Sequence, residues 1–282
     1  MSKIIACIDG SIYTHSVVDH AAWAAERLTA SVELLQVLGR GDIPAADLSG
    51  SISADAQQKL LNELARLDEE RAKLIQQRAR MVMDDARLRI SATATGAVST
   101  VLRNGDLLET LSEREASADL VVIGKRGEAA DFATAHLGSN LERVVRASRR
   151  PVLVASRAYA TIDKALVAFD GGSSILKAVD ALSRSQLMSG IDIHLVCVGK
   201  DIPEMRRRLE GAVAQLHAGG HKAQFRFADG VPDKAIAGIV DAERMNLLVM
   251  GAYGHSRIRN LLIGSTTTEM IRSCKVPVLL FR

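Results

Sequence analysis

Asn246-Leu247-Leu248-Val249-Met250-Gly251-Ala252-Tyr253-Gly254, then nine residues, then Gly264-Ser265-Thr266, is the stretch on which the fold turns. The apolar run reads as a strand, the glycines as the loop that ends it, and the small-residue cluster as the start of a helix. Glycine lets the backbone approach an anion with no Cβ in the way. The first helical turn adds unpaired N–H groups and the positive end of the helix dipole. Such a unit is expected to hold a phosphate, and with it a nucleotide.

The pattern occurs twice. Leu120-Val121-Val122-Ile123-Gly124-Lys125-Arg126-Gly127 is followed, after ten residues instead of nine, by Gly138-Ser139-Asn140. Lys3-Ile4-Ile5-Ala6-Cys7-Ile8-Asp9-Gly10-Ser11 is answered by Lys164-Ala165-Leu166-Val167-Ala168-Phe169-Asp170-Gly171-Gly172-Ser173. Near the two ends, Arg149-Arg150-Pro151-Val152-Leu153-Val154 matches Lys275-Val276-Pro277-Val278-Leu279-Leu280 less closely but in the same place. Agreement at the start, middle and end of both halves makes the chain a tandem repeat, with domains expected at 1–156 and 157–282.

In the second half, apolar runs at 164–169, 191–198, 223–228, 246–251 and 276–281 alternate with helical patterns near 173–188, 203–218, 232–243 and 264–273. Continuous rather than alternating hydrophobicity, as in Leu247–Met250 and Val278–Phe281, belongs to strands covered on both faces, as parallel sheets require. Right-handed crossovers then give a doubly wound sheet with its ligand at the carboxyl ends of the strands, where strand order reverses. Asp170 and Gly251 are expected to meet there, and Asp9 and Gly124 likewise.

Both halves resemble universal stress protein domains, a family marked by G-x2-G-x9-G-[S/T] and by an Asp-Gly-Ser element after the first strand. The resemblance covers nearly the whole chain. It implies an α/β fold of two tandem Rossmann-like domains of the adenine nucleotide alpha hydrolase-like type, each a five-stranded parallel sheet of order 3-2-1-4-5 flanked by helices. It also implies ATP binding, accompanied by Mg, in one branch of the family. Carried over residue by residue, Ala168, Phe169 and Asp170 would take the base and ribose, and Val198 the adenine. Met250, Gly251 and Gly254 would line the site, and Gly264, Ser265 and Thr266 would meet the phosphates. An ionised carboxylate such as Asp170 is a charge-assisted acceptor for ribose hydroxyls.

The same carry-over gives a weaker second site at Asp9, Val37, Gly124, Gly127, Gly138 and Ser139. Here the glycine loop is one residue longer, Asn140 stands where the other half has Thr266, and Glu128 and Asp131 lie beside the phosphate path. Two carboxylates near a triphosphate are unfavourable unless a metal or a cation such as Lys125 or Arg126 intervenes, so the second half ranks first. Against both sites stands a plainer role: Asp, Ser and Gly after a strand also serve as turn and capping residues.

Asp9 to Gly124 spans 115 positions and Asp170 to Gly251 spans 81, leaving 34 extra in the first half, largely at 40–89. A Gly/Pro/Ser-rich loop, 41–53, precedes a segment without Gly or Pro from Ile52 to Ile90. If wholly helical it would run about 55 Å. Leu60, Leu64, Leu67, Leu74, Met81 and Leu88 mark a heptad-like stripe that Arg71, Arg78 and Asp85 interrupt, which favours a sheet-covering helix or helical hairpin over a coiled coil.

Among the histidines, His255 can reach a phosphate of the second site, with Arg257 and Arg259 beside it. His15 and His136 lie near the first, with surface positions favoured for both, while His194 and His217 read as surface residues. Cys7, Cys197 and Cys274 are scattered, with no CxxC, and read as small core residues. A net charge of +3 spread along the chain and an aromatic content of 3% give little support to nucleic-acid binding. No run nears the roughly 20 apolar residues that cross a bilayer. Met1–Ile5 enters a strand with no signal-type apolar region, so the expected setting is cytoplasmic.

No catalytic residue, no metal site built from side chains alone and no Walker-type phosphate loop is legible. The first reading is a nucleotide-responsive regulatory protein of the stress response. The alternatives are a nucleotide-free scaffold and a slow ATPase. Partners in view are adenine nucleotide, the two halves with each other through Pro151–Ala155 and Pro277–Phe281, a homodimer, and a protein not identifiable from sequence. Neither nucleic acid nor membrane is expected.

Overall fold

Every apolar run of the sequence is a strand, and the helical patterns between them are helices. The computed structural model describes residues 2–39, 54–92, 96–127, 139–252 and 265–282. The first half is β1 (Lys3–Cys7), α1 (Thr14–Leu28), β2 (Ser31–Leu38), α2 (Ala54–Ser91), β3 (Val98–Asn104), α3 (Leu107–Arg114), β4 (Leu120–Gly124), α4 (Ser139–Ala147) and β5 (Val152–Ala155). The second is β6 (Lys164–Ala168), α5 (Ser173–Arg184), β7 (Asp192–Val198), α6 (Pro203–Ala218), β8 (Lys222–Ala228), α7 (Pro232–Ala242), β9 (Leu247–Gly251), α8 (Ser265–Ser273) and β10 (Val278–Phe281).

Strand order is β3-β2-β1-β4-β5-β10-β9-β6-β7-β8, one continuous sheet in which each half has the order 3-2-1-4-5. Pairing is parallel within each half and antiparallel where β5 meets β10, with Leu153 opposite Leu279. Two edges that would each be exposed in a separate half therefore cover one another.

Successive strand residues feed opposite faces. Ile4 and Ala6 join one buried cluster, and Ile5 and Cys7 the other. The outer strands β3 and β8 are the most exposed, as edges of the sheet. Full burial of each Val, Leu or Ile is worth about 1.5–3 kcal/mol, so the inner strands are what anchor the loops at their carboxyl ends.

Side chains also lock the halves together at helix ends. The guanidinium of Arg282 donates to the carbonyl of Arg146 at 2.8 Å, under the C-terminus of α4. The buried ammonium of Lys125 donates to the carbonyl of Cys274, just past the C-terminus of α8. A cation at that position complements the helix dipole as well as satisfying an open carbonyl. Arg27 of α1 reaches the Ser189 carbonyl at 2.6 Å.

The described part of the long insertion lies in one helix, α2, of 38 residues. Its buried residues Met83, Ala86 and Ile90 each precede Leu209, Ala212 and Leu216 of α6 by 126 positions. The last turns of α2 are thus the counterpart of α6. Because α6 begins at Pro203, the part of α2 before about residue 77 is an N-terminal extension with no equivalent in the second half.

His20, fully buried on α1, donates Nδ1–H to the Ser16 carbonyl at 2.7 Å and meets the Tyr159 ring edge-on. Burial holds its pKa below the ordinary histidine value. Only the unfolded chain then gains a proton as pH drops below about 6.5, so stability should fall there, by up to about 1.4 kcal/mol per pH unit. Thermal melts between pH 7.5 and 5 should show that slope, flattened in His20→Gln; an unchanged slope in the variant would assign it elsewhere. Glu33 acts at lower pH. Burial would raise its carboxyl, but the Arg114 guanidinium and Lys3 ammonium outweigh it and hold it below the usual range, so its contribution is lost as pH falls below about 4.5.

Candidate functional site

In a 3-2-1-4-5 sheet the chain leaves β1 toward β2 and returns on the other side at β4, so the loops after β1 and β4 part and leave a crevice. In the first half this crevice is a cleft of about 710 Å³, within the range of small-molecule sites. Asp9 and Tyr13 line it from the β1–α1 turn, Val37 and Leu38 from the end of β2, and Gly124, Arg126 and Gly127 from the loop after β4. Helix α2 closes another side with Arg71, Ile75, Arg78 and Val82.

The β1–α1 turn is rigidly built. Ser11 N donates to Asp9 Oδ1 at 3.0 Å, Gly10 N donates to Thr14 Oγ1 at 3.0 Å, and Gly10 takes a φ of +78° that favours glycine. The second half repeats it: Gly172 N donates to Asp170 Oδ1 at 2.8 Å and Gly171 has a φ of +70°. Each aspartate therefore holds its own turn, the plainer role considered from the sequence, and this same bond fixes where its carboxylate sits.

Glycine at 124 and 127 is a matter of room. A Cβ at Gly124 would come 2.8 Å from Cβ of Tyr13, and one at Gly127 would come 3.0 Å from Oδ2 of Asp9. The two loops of the cleft thus approach each other at these glycines, with no room for a side chain at Gly124 and little at Gly127.

Of the two cations placed beside this loop by the sequence, Arg126 lines the cleft and Lys125 does not. Lys125 is turned into the interface with the other half, where burial lowers its pKa below that of an ordinary lysine. Cys7 sits on the cleft floor, its thiol pushed up to about 12 by burial and by the nearby Asp9 and Glu33 carboxylates, so it is no nucleophile at neutral pH. All three cysteines are buried and free.

In the second half, Ala168 and Val198 lie half-buried at the ends of β6 and β7. The Phe169 ring and the Met250 side chain are packed in the core, at 2% and 5% exposure, so Phe169 offers a ligand its backbone rather than its ring. Gly251 ends β9, and its carbonyl accepts a hydrogen bond from Thr267 Oγ1 at 3.1 Å, tying strand to helix. Ser265 and Thr266 open α8, the former exposed and the latter half-buried. Gly254, Gly264, His255, Arg257 and Arg259 lie outside the described residues, as do Gly138, Glu128, Asp131 and His136; Ser139 opens α4.

His15 does not face the cleft: its Nε2 meets Asp85 of α2 at 2.9 Å on an exposed surface. His194 is less open than its strand pattern suggested, since it is flanked by Asp192 at 3.2 Å and Glu243 at 3.7 Å. The sequence reading also passed over Gln36, Leu107 and the α2 residues of the cleft wall. The available signal was the pair Arg71 and Arg78, which interrupt the apolar stripe because their face of the helix is the one turned to the cleft.

Two doubly wound α/β halves in tandem, each with an aspartate turn after its first strand and a glycine at the end of its fourth, define a double Rossmann-like protein. The Universal stress protein family model matches residues 1–156 and 200–282. A curated universal stress protein of Synechocystis is 36% identical over the full length of both chains. This chain belongs to the universal stress protein family, as a tandem two-repeat member. A crystal structure of a universal stress protein from Archaeoglobus fulgidus superposes with a TM-score of 0.71 at 20% identity, covering 99% of this chain and 98% of that one. A putative universal stress protein from Pseudomonas aeruginosa gives 0.63 at 17% identity, over 100% and 93%. These two bear on the fold. Among the described residues no helix is long and apolar enough to cross a membrane.

Proposed function

We propose that this protein is a cytoplasmic, adenine-nucleotide-binding regulator of the stress response, taking ATP with magnesium held by the phosphates. The observation that carries the reading is the first-half cleft, which brings Asp9, Val37, Gly124 and Gly127 to one space of about 710 Å³. These are the positions to which the family resemblance gives ribose, adenine and phosphate contacts. In this reading the base lies against Val37, the Asp9 carboxylate accepts from ribose hydroxyls, and the phosphates run over Gly124 and Gly127 toward the N-terminus of α4.

Asp170, Val198 and Gly251 stand at equivalent places and, with the glycine pattern of 251–266, make the second half a further site. The sequence ranks that half first. The cleft argues that the first half is a site of its own and more than a packing partner.

Calorimetric titration with Mg-ATP tests the proposal. The wild type should bind saturably, and Asp9→Asn, which keeps an acceptor for Ser11 N but loses the charge, should weaken the first-half site about tenfold. No saturable binding by the wild type would refute it.

A further inference from the structure

We infer that the cleft-facing strip of α2 is a ligand-binding element, in which Arg71, on the N-terminal extension, and Arg78, just past its end, take the phosphate chain of an adenosine polyphosphate bound in the first-half cleft. The inference rests on the nucleotide reading above; the second half also sets a guanidinium against its matching turn, where Arg208 of α6 donates to the Gly171 carbonyl at 3.1 Å, but it has no counterpart of Arg71, since α6 begins at Pro203.

Three observations carry it. First, α2 contributes a continuous strip of cleft wall, with Arg71, Ile75, Arg78 and Val82 at the spacing of one helix face. Counted by its buried counterparts in α6, the strip begins before residue 77, so Arg71 and Ile75 stand on the extension itself. Second, this wall presses on the turn that carries Asp9. A Cβ at Gly10 would lie 3.3 Å from Cγ2 of Val82 and 3.5 Å from Nη2 of Arg78, which puts that guanidinium one residue from the carboxylate expected to hold the ribose.

Third, the charge is one-sided. Among the described residues, the charged groups lining the cleft are Arg71, Arg78, Arg126 and Asp9, three cations against one anion. Such a lining is poorly matched to a neutral nucleoside and well matched to a multiply charged phosphate chain, which guanidinium groups engage by charge-assisted, often bidentate hydrogen bonds.

Apolar and charged residues also divide the labour along the strip. Ile75 and Val82 cover apolar parts of the ligand. Arg71 and Arg78, two turns and about 10 Å apart along the axis, span an extended chain rather than converge on one phosphate. The ligand class is therefore a nucleoside polyphosphate in preference to a nucleoside or monophosphate.

Hydrogen exchange of the full-length protein, read on peptides covering 5–10 and 34–39, reports occupancy of the first-half cleft independently of the second half. In the wild type, both ATP and adenosine should protect these peptides, ATP at lower concentration. In Arg71→Ala/Arg78→Ala, both changes lying on exposed helix positions that alanine suits, the half-saturating ATP concentration should rise about 100-fold, roughly tenfold per arginine. Adenosine should be unaffected. An ATP curve shifted by less than about twofold would overturn the inference, and so would an equal weakening of ATP and adenosine, which would make α2 a wall without phosphate recognition. If neither ligand protects the wild-type peptides, the nucleotide reading of this cleft fails and the inference falls with it.

Discussion

Replacing Gly127 by valine should weaken nucleotide binding at the first-half cleft by at least about 100-fold, equivalent to about 2.7 kcal/mol, and leave the fold standing. The Cβ alone would lie 3.0 Å from Oδ2 of Asp9, and the branched methyl groups add bulk on the path assigned to the phosphates. The carboxylate must move, and with it the acceptor expected to hold the ribose. Gly127 lies in a loop beyond the last residue of β4, outside both buried clusters, so the unfolding midpoint should change little. Titration and a thermal melt on the same sample separate the two effects: full affinity in the variant would remove Gly127 from the site, and a large drop in stability would make lost binding uninformative.

Stability, in contrast, should be hit hardest at two glycines far from any ligand. A Cβ at Gly96 would come 2.3 Å from the carbonyl oxygen of Ala30, and one at Gly219 would come 2.0 Å from that of Ser183. Both glycines precede an edge strand of their half, β3 or β8, and pass the C-terminal end of its first helix. The contact is with backbone, which cannot swing aside as a side chain can. Gly96→Ala and Gly219→Ala should therefore each cost about 3 kcal/mol or more and lower the melting temperature by roughly 10 °C. Gly211, inside α6 with open space around it, is the internal control. There alanine should be neutral or stabilising by up to about 1 kcal/mol. Three similar losses would mean that the close approaches at 96 and 219 are not what limits substitution.

The fold was legible because its determinants are local and occur twice. Continuous apolar runs such as Leu247–Met250 mark buried parallel strands, and Asp-Gly-Ser and glycine-loop spacings recur at matching places in both halves. What escaped depends on contacts between segments distant in sequence. Lys125 and Arg126 are neighbours in one loop, and only the approach of that loop to the end of α8 sends one to the Cys274 carbonyl and leaves the other in the cleft. His20 looks like any polar residue on an amphipathic helix, yet α1 is covered so deeply that it is fully buried.

The long helix shows the same limit. Its existence followed from the absence of Gly and Pro between 52 and 90, and its stripe of leucines was visible. Arg71 and Arg78 read as defects in that stripe because a heptad template judges residues against a single apolar face. In the fold the stripe covers no sheet: Leu60, Leu64, Leu67, Leu74, Met81 and Leu88 are exposed, while Met83, Ala86 and Ile90 pack on the sheet and Arg71 and Arg78 overhang a cleft. The ranking of the two halves rested on how closely each loop keeps the family pattern, whereas the cleft draws part of its wall from α2, a segment outside that pattern.

The central claim, that adenine nucleotide sits at the carboxyl ends of β1, β2 and β4, is tested most directly by photolabelling the full-length protein with an azido-adenine analogue of ATP and mapping the modified peptides. The account predicts label on the peptide carrying Val37, Leu38 and Gly39, suppressed by unlabelled ATP and lost in Gly127→Val. Label confined to other surfaces, or label at Val37–Gly39 that ATP does not suppress, would contradict it.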